Sequence, residues 1–362
     1  MKVNKLTNTL FIVLLFSITI LNVFVMPNSF SENENRKLQQ FPSFSLRSFI
    51  KGKFSMQFET WMQDQFIHRD TWIMVNTLKE LALGKTINNE VYFGKEHYLL
   101  ERFVQEDFKI AKQNIEYLNA FKRPVTLMLI PSSVEVNRDK LPRFAYNTNQ
   151  KELEDWIVSQ LDDHIQVVPL YNRLVSCKDC FYKTDHHWNL KGAYIAYQVL
   201  MEMLNESAYP LTMETVSKDF KGTMFSKSGA FWMPKDEIET IKEVHEIPVK
   251  VRVDDQEYTS LFFSENLKKK DQYTYYLDGN HSLVHIHNLS LQNDKHIVII
   301  KDSFAHAFVP MLMLHFEEIT MIDLRYYRQS ISKYIQEHEI DDIIVMYNIK
   351  QFVNDSNFVF FK

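Results

Sequence analysis

Two short runs of the sequence hold residue types that can move a proton and form a covalent bond: Thr184-Asp185-His186-His187-Trp188-Asn189 and Ile299-Ile300-Lys301-Asp302-Ser303-Phe304. If the first run is extended, side chains alternate, so Asp185 and His187 share a face while His186 points the other way. A carboxylate that accepts from one imidazole nitrogen leaves the other nitrogen as a base, as in a hydrolytic triad. In the second run, Ser303 stands where an apolar strand turns into a helix. Its hydroxyl would lie above the sheet edge, beside backbone N–H groups able to stabilise an oxyanion. Taken alone, Asp-Ser at a helix start is an ordinary N-cap, and the two histidines are ordinary surface residues. The two runs together fit a Ser-His-Asp site.

A metal at the histidines would need a third ligand, and neighbouring histidines on an extended chain do not readily face one ion. No metal is expected. The only cysteines, Cys177 and Cys180, are spaced CxxC without a second ligand pair, which argues against zinc. They form either a local disulfide, if the compartment is oxidising, or two free thiols.

The elements that must position these residues alternate along the chain. Strand-like runs are expected at Val125–Ile130, Ile165–Pro169, Ile297–Lys301, Ile319–Ile322 and Ile343–Tyr347. Helical patterns fall at Phe108–Phe121, Lys151–Asp163, Leu190–Asn205, His306–His315 and Ser330–His338, with Asn189 as an N-cap. Apolar strands alternating with such helices predict an α/β fold with a mainly parallel sheet covered on both sides, its reaction centre at the carboxyl ends of the strands. Residues 213–290 break the alternation, with VKVRV, YTYYL and LVHIH reading as short strands of a partly β insert. A helical stretch, Met56–Leu83, is interrupted at FIHRD (66–70).

With 362 residues, of which 45% are hydrophobic, the chain can bury a substantial core. A net charge of −5, spread along the sequence, gives no basic stripe, so nucleic acid is not an expected partner. None of the seven glycines forms a nucleotide-binding loop, and no cofactor is expected. Lys2 and Lys5 precede the apolar run Leu10–Met26, which fits a signal anchor over 1–27 and places later residues outside the cytoplasm. A cleaved signal peptide is the alternative, with the same compartment. Polar residues 28–50 then read as a tether, and 51–362 as one catalytic domain.

TDHHWNLKGAY, LDGNHSLVHIHN, IIKDSFAHAFVPMLMLHFEEITMIDLRYY and the early ENENRKLQQFPSF resemble the bacterial family named for its DHHW motif, across nearly the whole chain after the anchor. More distantly, the TDxHW and DSF elements resemble the extracytoplasmic O-acetyltransferases of alginate biosynthesis. That resemblance implies an SGNH-hydrolase-like three-layer sandwich with the triad in the permuted order Asp, His, Ser, and makes Asp185 the orienting acid, His187 the general base and Ser303 the nucleophile. It implies O-acetyl transfer to a cell-surface polysaccharide, with a multispanning membrane acyltransferase supplying the acetyl group. An esterase of the same fold and a non-catalytic polysaccharide-binding scaffold are the alternatives. Gly279 and Asn280 either lend an amide to the oxyanion hole or form a hairpin turn. Arg325, Tyr326 and His186 are candidate sugar contacts, and GTMFSKSG (222–229) resembles the family without an assigned role. The nucleophile block reads KDSF rather than GDS, so a glycine N–H that usually helps the oxyanion is absent.

Overall fold

A computed structural model describes every residue except Met1 and Val25, and only the backbone of Lys2, Val3, Asn4 and Val23. Those parts of the expected anchor therefore lie outside the described residues. The chain divides into two compact units, Met1–Asn88 with Phe225–Met233, and Asn89–Met224 with Pro234–Lys362.

The first unit begins with helix α1 (Lys2–Phe24), whose stretch Lys5–Asn22 is long and apolar enough to cross a membrane and has no buried residue. A hairpin follows, β1 (Phe30–Ser31) with β2 (Arg36–Lys37), then α2 (Leu46–Ile50), α3 (Lys53–Asp64) and α4 (Arg69–Ala82). The α3–α4 break, residues 65–68, overlaps the interruption expected from FIHRD. Residues 28–50 are not an open tether: buried Asp64 accepts from both terminal nitrogens of Arg36, at 3.0 and 2.5 Å, and from the Gln39 N–H at 2.8 Å.

The second unit is built on one eight-stranded sheet. Its strands are β3 (Val125–Ile130), β4 (Ile165–Val167), β5 (Val249–Val253), β6 (Gln256–Tyr258), β7 (Leu283–Asn288), β8 (His296–Lys301), β9 (Glu318–Ile322) and β10 (Asp342–Asn348), in the order β6-β5-β7-β9-β8-β10-β3-β4. The five strands from β9 to β4 run parallel; β6, β5 and β7 extend one edge antiparallel. Residues 213–290 thus supply three strands to the main sheet, plus a separate antiparallel pair, Met213–Phe220 with Asp236–Ile241.

The central strands are mostly apolar because both faces are covered. From β8, Ile297 and Ile299 join the core packed by α7 (Leu190–Met203) and α8 (Ala305–Leu312), while Val298 and Ile300, equally buried, face the other way. Helices α5 (Lys109–Ala120) and α6 (Gln150–Val158) precede these two, and α9 (Ile331–Glu337) follows them. Each side chain so buried contributes roughly 1.5–3 kcal/mol. YTYYL does not form the expected strand. It is a 3-10 turn, Gln272–Tyr275, in which tertiary bonds override β propensity: Tyr275 donates to Thr240 at 2.8 Å and Tyr276 to the Glu239 carbonyl at 2.7 Å.

Candidate active site

The site is assembled from a stapled loop and the ends of the parallel strands. Cys177 and Cys180 are joined by a disulfide. Just beyond it, Phe181 and Trp188 pair antiparallel, so Thr184 to His187 sit at the tip of a short hairpin. This tip is a series of bends rather than a strand. Asp185 causes the bend: its Oδ1 accepts the N–H of His187, two residues on, at 3.0 Å. The consequence corrects the expectation for His186. Instead of pointing away, its ring lies 3.9 Å from that of His187, with Nδ1 3.5 Å from the same Asp185 oxygen.

His187 Nδ1 lies 2.6 Å from Asp185 Oδ1, and Nε2 lies 2.7 Å from Ser303 Oγ. An ionised carboxylate only accepts, so Nδ1 carries the proton and Nε2 accepts from the serine hydroxyl. Burial alone would push the Asp185 carboxyl up. The charges of His186 and His187, the His187 hydrogen bond and the Thr223 N–H at 2.7 Å overcome it and hold the group well below the usual carboxylate range. Burial, aided by the charge of His186, lowers His187 to about 4 against the pull of Asp185. At neutral pH the imidazole is an uncharged base.

Three further features fix this line of groups. The Tyr273 ring stacks on His187 at 3.9 Å and 9°, and its hydroxyl donates to the Ser303 carbonyl at 3.2 Å. Trp188 donates from its indole N–H to the Phe304 carbonyl at 3.0 Å, linking the two motifs directly. Asp236 accepts from the N–H groups of Lys183 and Thr184, at 2.9 and 2.8 Å, and from the Thr184 hydroxyl. Thr184 in turn accepts the Gly222 N–H at 3.1 Å. Gly222 has no room for a side chain, since a Cβ there would stand 2.3 Å from Asp185 Cβ.

Ser303 stands two residues beyond the end of β8. Asp302 beside it accepts the N–H groups of Phe304 at 2.9 Å and Asn348 at 2.7 Å, tying the ends of β8 and β10 together. Burial raises the Asp302 carboxyl to about 6, against those two bonds and the charges of Arg325 and Lys301. The Ser303 N–H has no acceptor among the described residues. A cavity of about 210 Å³ opens over the serine, lined among others by Ser132, Ser133, His186, Arg325 and Asn348. Most of these follow the carboxyl ends of β3, β9 and β10. Arg325 is held by Asp323 at 2.6 and 2.9 Å, and Asp323 also pairs with the fully buried Lys301 at 3.1 Å.

Gly279 and Asn280 lie elsewhere. Asn280 is exposed, does not line the cavity, and its side-chain oxygen accepts from Arg325 at 2.9 Å. The expected oxyanion partner is thus engaged with a different residue. The hairpin alternative fails too, because the turn at Gly279 (φ 86°) follows a 3-10 helix. Tyr326 is exposed beside Arg325 and also outside the cavity lining. The side chains of Asp185, His186 and His187 could offer three metal-ligand atoms within 4.8 Å. Both His187 nitrogens are already committed, however, so an ion would have to break the bond to Asp185 or to Ser303.

Sequence reasoning did not assign Gly222, Thr223, Tyr273, Asp236 or Asn348 to this site. Gly222 left a signal: in a chain with seven glycines, one inside a run resembling the family asked for a local cause.

Residues 91–322 match the DHHW protein family. No curated protein matches the sequence. Among solved structures, a DHHW family protein from Eubacterium siraeum is similar with a TM-score of 0.64 at 21% identity, covering 75% of this chain and 94% of that one. Bacillus cereus PatB1, solved with a sulfonyl adduct, gives 0.61 at 21% identity, covering 74% and 97%. The O-acetyltransferase domain of Pseudomonas putida AlgJ gives 0.44 at 13% identity, covering 75% and 95%. The first two share the fold described above.

Proposed function

This chain belongs to the DHHW protein family, and on that premise we propose that it transfers an acyl group, acetyl in the first instance, through Ser303 to a hydroxyl of a cell-surface polysaccharide. The observation that supports this most is the line Asp185–His187–Ser303, with separations of 2.6 and 2.7 Å and an uncharged imidazole between acid and serine.

In this mechanism His187 Nε2 takes the Ser303 proton as Oγ attacks the acyl carbonyl, and Asp185 stabilises the imidazolium that forms. The free N–H of Ser303 faces the developing oxyanion in place of the absent glycine. His187 returns the proton to the leaving group, leaving an ester on Ser303. A sugar hydroxyl then attacks, gives its proton to His187, and departs acylated as Ser303 recovers its hydrogen. Arg325, fixed by Asp323 on the cavity wall, and His186 are placed to contact the acceptor. The triad order Asp, His, Ser along the chain and helices on both sheet faces agree with an SGNH-like sandwich. Helix α1 suits a membrane anchor with the catalytic unit outside the cytoplasm, where Cys177–Cys180 would stay oxidised. A single helix cannot carry acyl groups across a bilayer, so a multispanning acyltransferase is the proposed donor.

The test incubates the full chain with a chromogenic acetyl ester, with and without an oligosaccharide acceptor. Wild type should release the chromophore, faster with acceptor, and acetylate the sugar, while Ser303→Ala does neither. Equal rates for the two proteins would refute the reading.

A further inference from the structure

The first unit exposes a run of apolar side chains next to the segment that could cross a membrane. Between Phe41 and Phe58 the chain places Phe41, Phe44, Leu46, Phe49, Ile50 and Met56 on the surface, each 52–75% exposed. On α2, Leu46, Phe49 and Ile50 share one face at helical spacing. Aromatic rings continue it without a gap: Phe44 and Phe49 meet Phe54 at 5.3 and 6.4 Å, Phe54 meets Phe58 at 6.1 Å, and Phe41 closes on Trp61 at 5.0 Å. So large an exposed apolar patch marks a surface with a partner.

The charges indicate which partner. Residues 41–58 contain Arg47, Lys51 and Lys53 and no acidic residue. None of the three pairs with a carboxylate among the described residues. Phenylalanine and leucine on one side with unpaired cations beside them is the composition of a helix lying in the plane of a membrane, its cations among anionic headgroups. The patch starts 17 residues after α1 ends at Phe24 and belongs to the same compact unit. The intervening chain is drawn back by the Arg36–Asp64 pair rather than extended.

We infer that α2 and the start of α3 form a second membrane contact, lying in the headgroup layer of an anionic bilayer. The catalytic unit would then be attached at two points, a spanning helix and an interfacial one. This rests on α1 being inserted, and the test separates the two.

The full chain is reconstituted in vesicles of phosphatidylglycerol and phosphatidylethanolamine, with a nitroxide label at Phe49→Cys or, separately, at Ser17→Cys in α1. Cys177 and Cys180 stay unlabelled as a disulfide. Power saturation with oxygen and with a water-soluble nickel chelate reads the depth of each label. The Ser17 label should lie in the bilayer core. The Phe49 label should lie roughly 5–10 Å below the headgroup surface. An Ile50→Cys label should agree with it. Replacing Arg47, Lys51 and Lys53 by Gln, or using phosphatidylcholine alone, should move it towards water. A Ser17 label in the core with Phe49 and Ile50 labels in water overturns the second contact, leaves the anchor standing, and points to a protein as the occupant of this face. A Ser17 label in water overturns both.

Discussion

Gly222→Ala perturbs the site without replacing any member of the triad. The new Cβ would stand 2.3 Å from Asp185 Cβ, 2.5 Å from its Oδ2 and 2.7 Å from its Cα. Relief to ordinary carbon contact requires a shift of about 1 Å or more. Two of the three obstructing atoms belong to, or adjoin, the backbone, so rotation of a side chain cannot supply it. Asp185 is also held by the Thr223 N–H at 2.7 Å and the His187 N–H at 3.0 Å. Movement must therefore stretch the 2.6 Å bond to His187 or break the one to Thr223. Overpacking of this kind costs about 1–3 kcal/mol of stability. A catalytic group displaced by about 1 Å loses on the order of 100-fold in rate, or about 2.7 kcal/mol of barrier. The assay is kcat/KM on a chromogenic acetyl ester, with Tm and circular dichroism confirming a folded protein. A Gly222→Ala variant within twofold of wild type, with unchanged Tm, would refute the claim that this close approach positions Asp185.

Other consequences follow from the same geometry. Because His187 is lowered to about 4 and must be uncharged to act as a base, kcat/KM should be flat above about pH 5 and fall about tenfold per pH unit below 4. Removing the neighbouring charge with His186→Ala should move that inflection upward; an unmoved profile contradicts the assignment. Tyr273→Phe keeps the ring on His187 but loses the bond to the Ser303 carbonyl, so it should slow turnover about fivefold, whereas Tyr273→Ala should also cost about 3–5 kcal/mol in urea unfolding. Asp323→Ala leaves Lys301 buried without its carboxylate and releases Arg325, for a loss of about 3–5 kcal/mol in the same measurement.

The central parallel strands could be read from sequence because both their faces are buried, making apolar runs such as Ile297–Ile300 continuous. Their boundaries held to within about two residues. Ser303 and the Asp185–His187 pair could be singled out because each stands at a junction with a helix. What could not be read depended on contacts between distant segments. Alternation gave the wrong side for His186, since an Asp185 side-chain bond bends the loop. YTYYL has strong strand propensity, yet its tyrosines find distant acceptors and leave the sheet. Gly222 and Tyr273 meet the site from 37 and 86 residues beyond Asp185 and His187, with no local pattern that announces either. Asn280 as an oxyanion donor rests on analogy with the asparagine of SGNH enzymes, and its side-chain oxygen instead accepts from Arg325.

The acyl-enzyme is the species on which the proposed chemistry depends. It can be sought by reacting the full chain with an excess of activated acetyl ester, quenching in acid within the first turnover, and mapping the acetyl group by peptide mass spectrometry. A single acetyl group on Ser303, absent from His187→Ala and Ser303→Ala, is the predicted result. An unmodified Ser303 in a protein that nevertheless turns over the ester would contradict it.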